Sequence, residues 1–197
     1  MMNGCPRWSF LTVSLLAALG CSDPVPRPAR GNLKLSIQKT AGNCPVTGKT
    51  YNVGNPDPPI STPPQPDPGD RLTDGEKGAS IQCSVQGSGP FTFSGTIKGT
   101  SAEGDPVTVS MTNGVINADK VAGTVRLNVY TKELAGSFTS TVDGCTVTVV
   151  SGNVKPGSLW ATVSCASITN PSTAQDCSVG PVSATISNFV LENCDGT

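Results

Sequence analysis

Ser36-Ile37-Gln38-Lys39 has the S-x-x-K spacing in which a lysine amine activates a serine hydroxyl. That chemistry needs both side chains on one face of a helical turn. Leu33, Leu35 and Ile37 predict a strand here, in which residues three apart point to opposite faces. No S-D-N triplet accompanies the motif. Gly48-Lys49-Thr50 matches the end of a phosphate-binding loop, but Asn43 stands where its first glycine belongs, and the proline-rich residues that follow cannot form its helix. The chain has no histidine, which removes the usual general base from serine, cysteine and metal-assisted mechanisms. Paired carboxylates would suffice for glycoside hydrolysis. Glu103, Asp105, Asp119, Glu133 and Asp143 all fall at or near predicted turns, where solvated carboxylates are expected. Asp67, Asp70, Asp74 and Glu76 put four acids in ten residues, yet their spacing departs from the calcium loop of EF-hands. The expectation is no catalytic residue, no metal and no cofactor.

Cysteine is the residue whose spacing says most. An apolar stretch runs from Trp8 to Leu19 behind Arg7, too short for the roughly 20 apolar residues that span a bilayer. It ends in Ala18-Leu19-Gly20-Cys21. A small residue before Cys resembles the lipobox of bacterial lipoprotein precursors, although Ala18 holds the position where that motif usually has leucine. The resemblance implies a signal peptide over residues 1–20, cleavage before Cys21, and a diacylglycerol on its thiol with a further acyl chain such as palmitate on its amine. Several acyl chains on one residue fit stable anchoring. Ser22 rather than Asp after the cysteine leans towards the outer membrane. Cys5 leaves with the signal, so Cys44, Cys83, Cys145, Cys165, Cys177 and Cys194 remain. An even number outside the cytoplasm implies three disulfides, in one of fifteen pairings. Zinc would require closer ligands than the Cys165–Cys177 interval provides.

These residues must be positioned by strands. Residues 21–30, rich in proline, form a membrane spacer of about 3.1 Å per residue if fully extended as polyproline, and a single domain follows over 31–197. Alternation is clear at Leu33-Leu35-Ile37, Ile81-Cys83-Val85, Phe91-Phe93, Val107-Val109-Met111, Val121-Val125-Leu127-Val129, Phe138-Val142, Cys145-Val147-Val149, Leu159-Ala161-Val163-Cys165 and Val182-Ala184-Ile186. Asn113-Gly114 and Asp143-Gly144 mark tight turns. One apolar and one polar face per strand, with turns about every ten residues, predict an all-β chain: an antiparallel sandwich or barrel-like domain. Seven prolines between Pro56 and Pro68 interrupt it, so 52–74 is expected to be a long exposed loop. Trp160 lies opposite in phase to Leu159, either as a second packing layer or as a contact for a partner.

Two stretches, IQCSVQGSGPFTFSGTIKG from Ile81 and the turn-strand-strand run from Thr141 to Cys165, resemble the low-molecular-weight surface lipoprotein antigens of mycobacteria. SLWATVSC and FVLENCDG are similar in style to lipoproteins of myxobacteria. The likeness implies a small anchored β-domain with no assigned enzymatic activity. It also bears on disulfide pairing, because each antigen-like stretch contains one of Cys83 and Cys165. Both cysteines share the parity of their strands' apolar residues, so a Cys83–Cys165 bridge is expected. Cys177–Cys194 is then the most local remaining pair. The alternative is neighbour pairing, Cys44 to Cys83 and Cys165 to Cys177.

Without Arg7, acidic residues outnumber basic ones by two, so no basic field exists to hold nucleic acid. The expected function is an envelope lipoprotein held at the membrane by its lipid, acting as a structural or interaction module for an envelope partner. The alternative is a carrier of a small apolar ligand or lipid inside the β-domain.

Overall fold

The computed structural model describes residues 26–39, 43–46, 48–55, 70–180 and 187–196. The signal segment, Cys21 and residues 56–69 lie outside the described residues, as do Val182, Ala184 and Ile186. The chain is all-β. Its strands are β1 (Arg30–Gln38), β2 (Lys49–Val53), β3 (Leu72–Thr73), β4 (Ser80–Gly87), β5 (Phe91–Thr100), β6 (Pro106–Ile116), β7 (Ala122–Thr131), β8 (Gly136–Thr139), β9 (Cys145–Lys155), β10 (Ser158–Asn170), β11 (Gln175–Val179) and β12 (Ser187–Glu192). One 3-10 turn, Glu76–Gly78, precedes β4.

Period-two patterning explains the strands. In β5, Phe91, Phe93, Gly95, Ile97 and Gly99 are buried and their neighbours face out. In β7 the buried set is Gly123, Val125, Leu127, Val129 and Thr131. Every strand ladder is antiparallel, and the strands form one sheet. β1 has β2 and β3 along one edge, and β12 and β11 along the other. β10 comes next, then β9 and β8 side by side, then β7, β6, β5 and β4.

The sheet rolls over so that β4 and β5 cover β1, β2 and β12. Gly31 faces Ile81 and Ile97, and Gly95 faces Leu191. At Gly99 the approach is closer still: a Cβ there would stand 2.6 Å from Val53 Cγ1, so only glycine lets the two layers meet. The edge of β4 is closed by the C-terminal residues. Val85 N–H donates to Asp195 O at 3.0 Å, and Asp195 N–H donates to Cys83 O at 3.1 Å. Inside the roll, Leu33, Leu35, Ile37, Tyr51, Phe91, Leu127, Phe138 and Phe189 belong to one continuous buried cluster.

Among the described residues the disulfides are Cys44–Cys177, Cys83–Cys194 and Cys145–Cys165. The expected Cys83–Cys165 bridge is therefore not formed, and neither are Cys177–Cys194 and the neighbour pairings. Parity names the face of a strand, not the strand beside it. Cys165 lies directly across the ladder from Cys145, whereas Cys83, on edge strand β4, meets the residues that leave β12.

Other expectations shift at their edges. The interruption at 52–74 is shorter than expected: Asn52 and Val53 belong to β2, Val53 is fully buried, and Leu72–Thr73 pairs with β1. Asn55 and Asp70 exchange backbone hydrogen bonds of 3.1 and 2.9 Å, so the chain leaves and rejoins the sheet as a paired stem. The end of the spacer is tied down as well, since Ala29 O accepts from Asp74 N–H at 2.8 Å and Arg30 already belongs to β1. Asn113-Gly114 is not a hairpin turn. It sits inside β6 at an irregularity in the pairing, with Asn113 at φ 54°, and the turn comes later, where Asn117 N–H bonds Ala122 O. Asp143-Gly144 does form a tight turn, closed by Gly144 N–H to Thr141 O at 3.1 Å. Val121 and Val142, assigned to apolar faces, are exposed in the approaches to β7 and β9.

Candidate functional site

Four of the carboxylates singled out in the sequence are taken up by local hydrogen bonds at or near turns. Asp74 accepts from Ile81 N–H at 2.8 Å and Glu76 from Thr73 N–H at 2.9 Å, so both brace the 3-10 turn. Asp119 accepts from Val121 N–H at 3.1 Å, and Asp143 from Thr124 Oγ1 at 3.0 Å. Asp67 lies outside the described residues. Among the described residues, no group of three or more Asp, Glu or Cys side chains is placed to hold a metal ion. Ser36 is fully buried, and its hydroxyl accepts from Gln38 Nε2 at 2.9 Å. Lys39 is exposed beyond the end of β1. Trp160 is half-buried on the outer face of β10, opposite Val190 of β12.

Three carboxylates do come together. Lys49 opens β2, and the turns that follow β5 and β7 carry Glu103, Asp105 and Glu133 to its ammonium. Its Nζ stands 2.8 Å from Asp105, 2.6 Å from Glu133 and 3.6 Å from Glu103. Two residues on, and so on the same face of the strand, Tyr51 donates its phenolic hydrogen to Glu133 Oε2 at 2.5 Å. Tyr51 is fully buried, and Thr131 Oγ1 lies 3.4 Å from its oxygen. Hydrogen bonds to Asp105 and Glu133 raise the Lys49 ammonium above its usual range. Burial first, and the bond to Glu133 second, push the Tyr51 phenol up to about 12. The bond from Lys49, followed by that from Tyr51, lowers Glu133. A carboxylic acid that protonates a leaving group needs the opposite shift. The cluster is thus a clasp: it pins β2 to two distant turns, and the shifts of Lys49, Tyr51 and Glu133 each favour the usual charge state at neutral pH.

A cavity of about 710 Å³ lies where β1 begins, between the end of β2, the Asn55–Asp70 stem, β3 and the 3-10 turn. Its walls carry Arg30, Arg71 and Lys77 together with Asp70 and Glu76, and Asn52 and Thr100 add neutral polar groups. Arg71 Nε lies 3.0 Å from Glu192 Oε2, and Arg30 Nη1 lies 4.0 Å from the same atom. Two wall atoms are buried without a hydrogen-bond partner: Arg30 Nε, a donor, and Asn52 Oδ1, an acceptor. No protein-family model matches this chain, and no curated protein or solved structure is similar enough to be matched.

Sequence reasoning singled out neither Arg30, Asn52 nor Arg71, and it met Lys49 only as part of a false phosphate loop. The usable signal was Lys49-x-Tyr51, a charge and an aromatic on one face of a short strand. The cavity had no signal, since its walls come from segments up to 72 positions apart (Arg30 to Ala102).

Proposed function

We propose that the protein is an envelope lipoprotein: exported, anchored in a membrane through acylated Cys21, and presenting its β-domain as a non-catalytic interaction module. One observation carries the reading. Cys44, Cys83, Cys145, Cys165, Cys177 and Cys194 pair among themselves, so none of them is left to bond Cys21. A leftover cysteine at the end of a short apolar run, behind a small residue, is what lipid attachment requires. Three disulfides in one domain also fit an oxidising compartment. Ser22 favours the outer membrane as the destination.

Support for the module over the apolar carrier comes from the interior. Large side chains from both layers of the roll, Phe91, Phe138, Phe189 and Met111 among them, fill one buried cluster. The cavity at the head of β1 is walled by charges and amides, which suit a polar partner.

Metabolic labelling with an alkyne fatty acid tests the anchor. Wild-type protein should take up the label, and the Cys21→Ala variant should remain an unlabelled precursor or a soluble form. Wild-type protein that is exported yet never labelled would overturn the reading.

A further inference from the structure

We propose that the cavity at the head of β1 is a binding site for a small zwitterion, a molecule joining an anionic carboxylate or phosphate to an ammonium group. The walls carry both signs of charge together with unmet donors and acceptors. Arg30 Nε is a buried donor with nothing to donate to, and Asn52 Oδ1 is a buried acceptor with nothing to accept. Leaving such groups without a partner is unfavourable, because each has given up its hydrogen bonds to water. The same cavity is lined by Lys77 and Asp70, both exposed, whose side chains make no ion pair within the described residues. A plain anion drawn to Arg30 and Lys77 would meet the Asp70 carboxylate, and a plain cation drawn to Asp70 would meet the guanidinium. A zwitterion satisfies both signs at once, its anionic oxygens on Arg30 and Lys77 and its ammonium on Asp70 and Asn52. Among the described residues, no aromatic side chain lines the cavity to stack a sugar ring. The site gives the proposed interaction module a ligand class, but it does not depend on the anchor.

Two sources share this chemistry: the termini of an amino acid or short peptide, and the ethanolamine phosphate headgroup of a lipid. The full mature chain in an uncharged detergent is titrated with glycylglycine, with glycerophosphoethanolamine, and with acetate and ethylammonium as single-charge probes. Chemical shifts of the labelled protein, including the Arg30 Nε–H signal, are followed. At least one zwitterion should bind saturably, and the single-charge probes should bind about tenfold more weakly. Preference for the dipeptide identifies a peptide site, and preference for the phosphodiester a headgroup site. Lys77→Gln and Asp70→Asn alter exposed side chains, so each should weaken binding about tenfold while the melting temperature holds. The proposal fails if neither zwitterion saturates, if acetate or ethylammonium binds as tightly, or if both variants bind as wild type does. Fatty-acid labelling of Cys21 is read independently, so either reading can fail alone.

Discussion

At the scale of single residues, the Lys49 clasp makes the sharpest claims. Tyr51 is pushed up to about 12 from its ordinary 10.0, so its contribution to stability is complete below pH 10.0 and is lost as pH climbs towards the higher value. Titration of the tyrosinate absorbance should therefore show a late phase near pH 12, and Tyr51→Phe should abolish it. At neutral pH that variant loses the bond to the Glu133 carboxylate and the longer one from Thr131, together worth about 2 kcal/mol and a fall of roughly 4–8 °C in melting temperature. Glu133 is displaced the other way. Its contribution is present above its ordinary value of 4.5 and is lost as pH falls through the lower value it has when folded. The stability gap between wild type and Glu133→Gln should stay constant from neutral pH down to about 5 and close below that. Denaturant melts at a series of pH values measure the gap. A gap that closes near neutrality would mean the carboxylate is not held by Lys49.

At the scale of elements, the informative feature is Asn113-Gly114. The pair carries the composition of a hairpin turn, yet the strand continues through it to Val115 and Ile116. A Cβ on Gly114 would stand 2.5 Å from Cε1 of the Phe93 ring. Gly114→Ala should thus displace a buried aromatic from the neighbouring strand and destabilise by about 1–3 kcal/mol. Asn113→Gly keeps the left-handed backbone without strain and should be nearly neutral. Equilibrium unfolding of the two variants separates these outcomes. Equal losses would show that the backbone conformation, not the Phe93 contact, sets the requirement. The alternation of Leu33, Leu35 and Ile37, and that of Val125, Leu127 and Val129, was legible because neighbouring residues along a strand face opposite ways. The turn composition at 113–114 misled because a bulge and a hairpin use the same left-handed residue.

At the scale of the whole molecule, the disulfides tie parts of the roll that are far apart in sequence. Cys83–Cys194 spans 111 positions and joins edge strand β4 to the C-terminal residues, whereas Cys145–Cys165 spans 20 positions between adjacent strands. Loop-closure entropy assigns about 5 kcal/mol to the first and about 3 to the second. Cys83→Ala with Cys194→Ala should lower the midpoint of chemical unfolding more than Cys145→Ala with Cys165→Ala. The reverse order would mean that the C-terminal residues hold β4 without the bridge. The same distances explain why pairing was not legible in the sequence. Four of the six cysteines, Cys83, Cys145, Cys165 and Cys177, lie on strands, and their parity still leaves open which strands are neighbours. That choice belongs to the order in which the sheet is assembled, and β9 beside β10 with β4 beside the C-terminus is not local information.

What the sequence determined by itself is therefore what depends on near neighbours. The strand class follows from period-two alternation, the Asp143-Gly144 turn from local backbone preference, and the expectation of a lipid anchor from the residues around Cys21. Only the tertiary structure decided which cysteines meet, that Lys49 gathers Glu103, Asp105 and Glu133, and that Arg30, Asn52, Asp70 and Lys77 wall one cavity. Those contacts form when the sheet rolls and brings together residues many positions apart. Their closeness is a property of the roll, held by Gly99 against Val53 and by β4 against Asp195. No window of the chain short enough to show a pattern contains it.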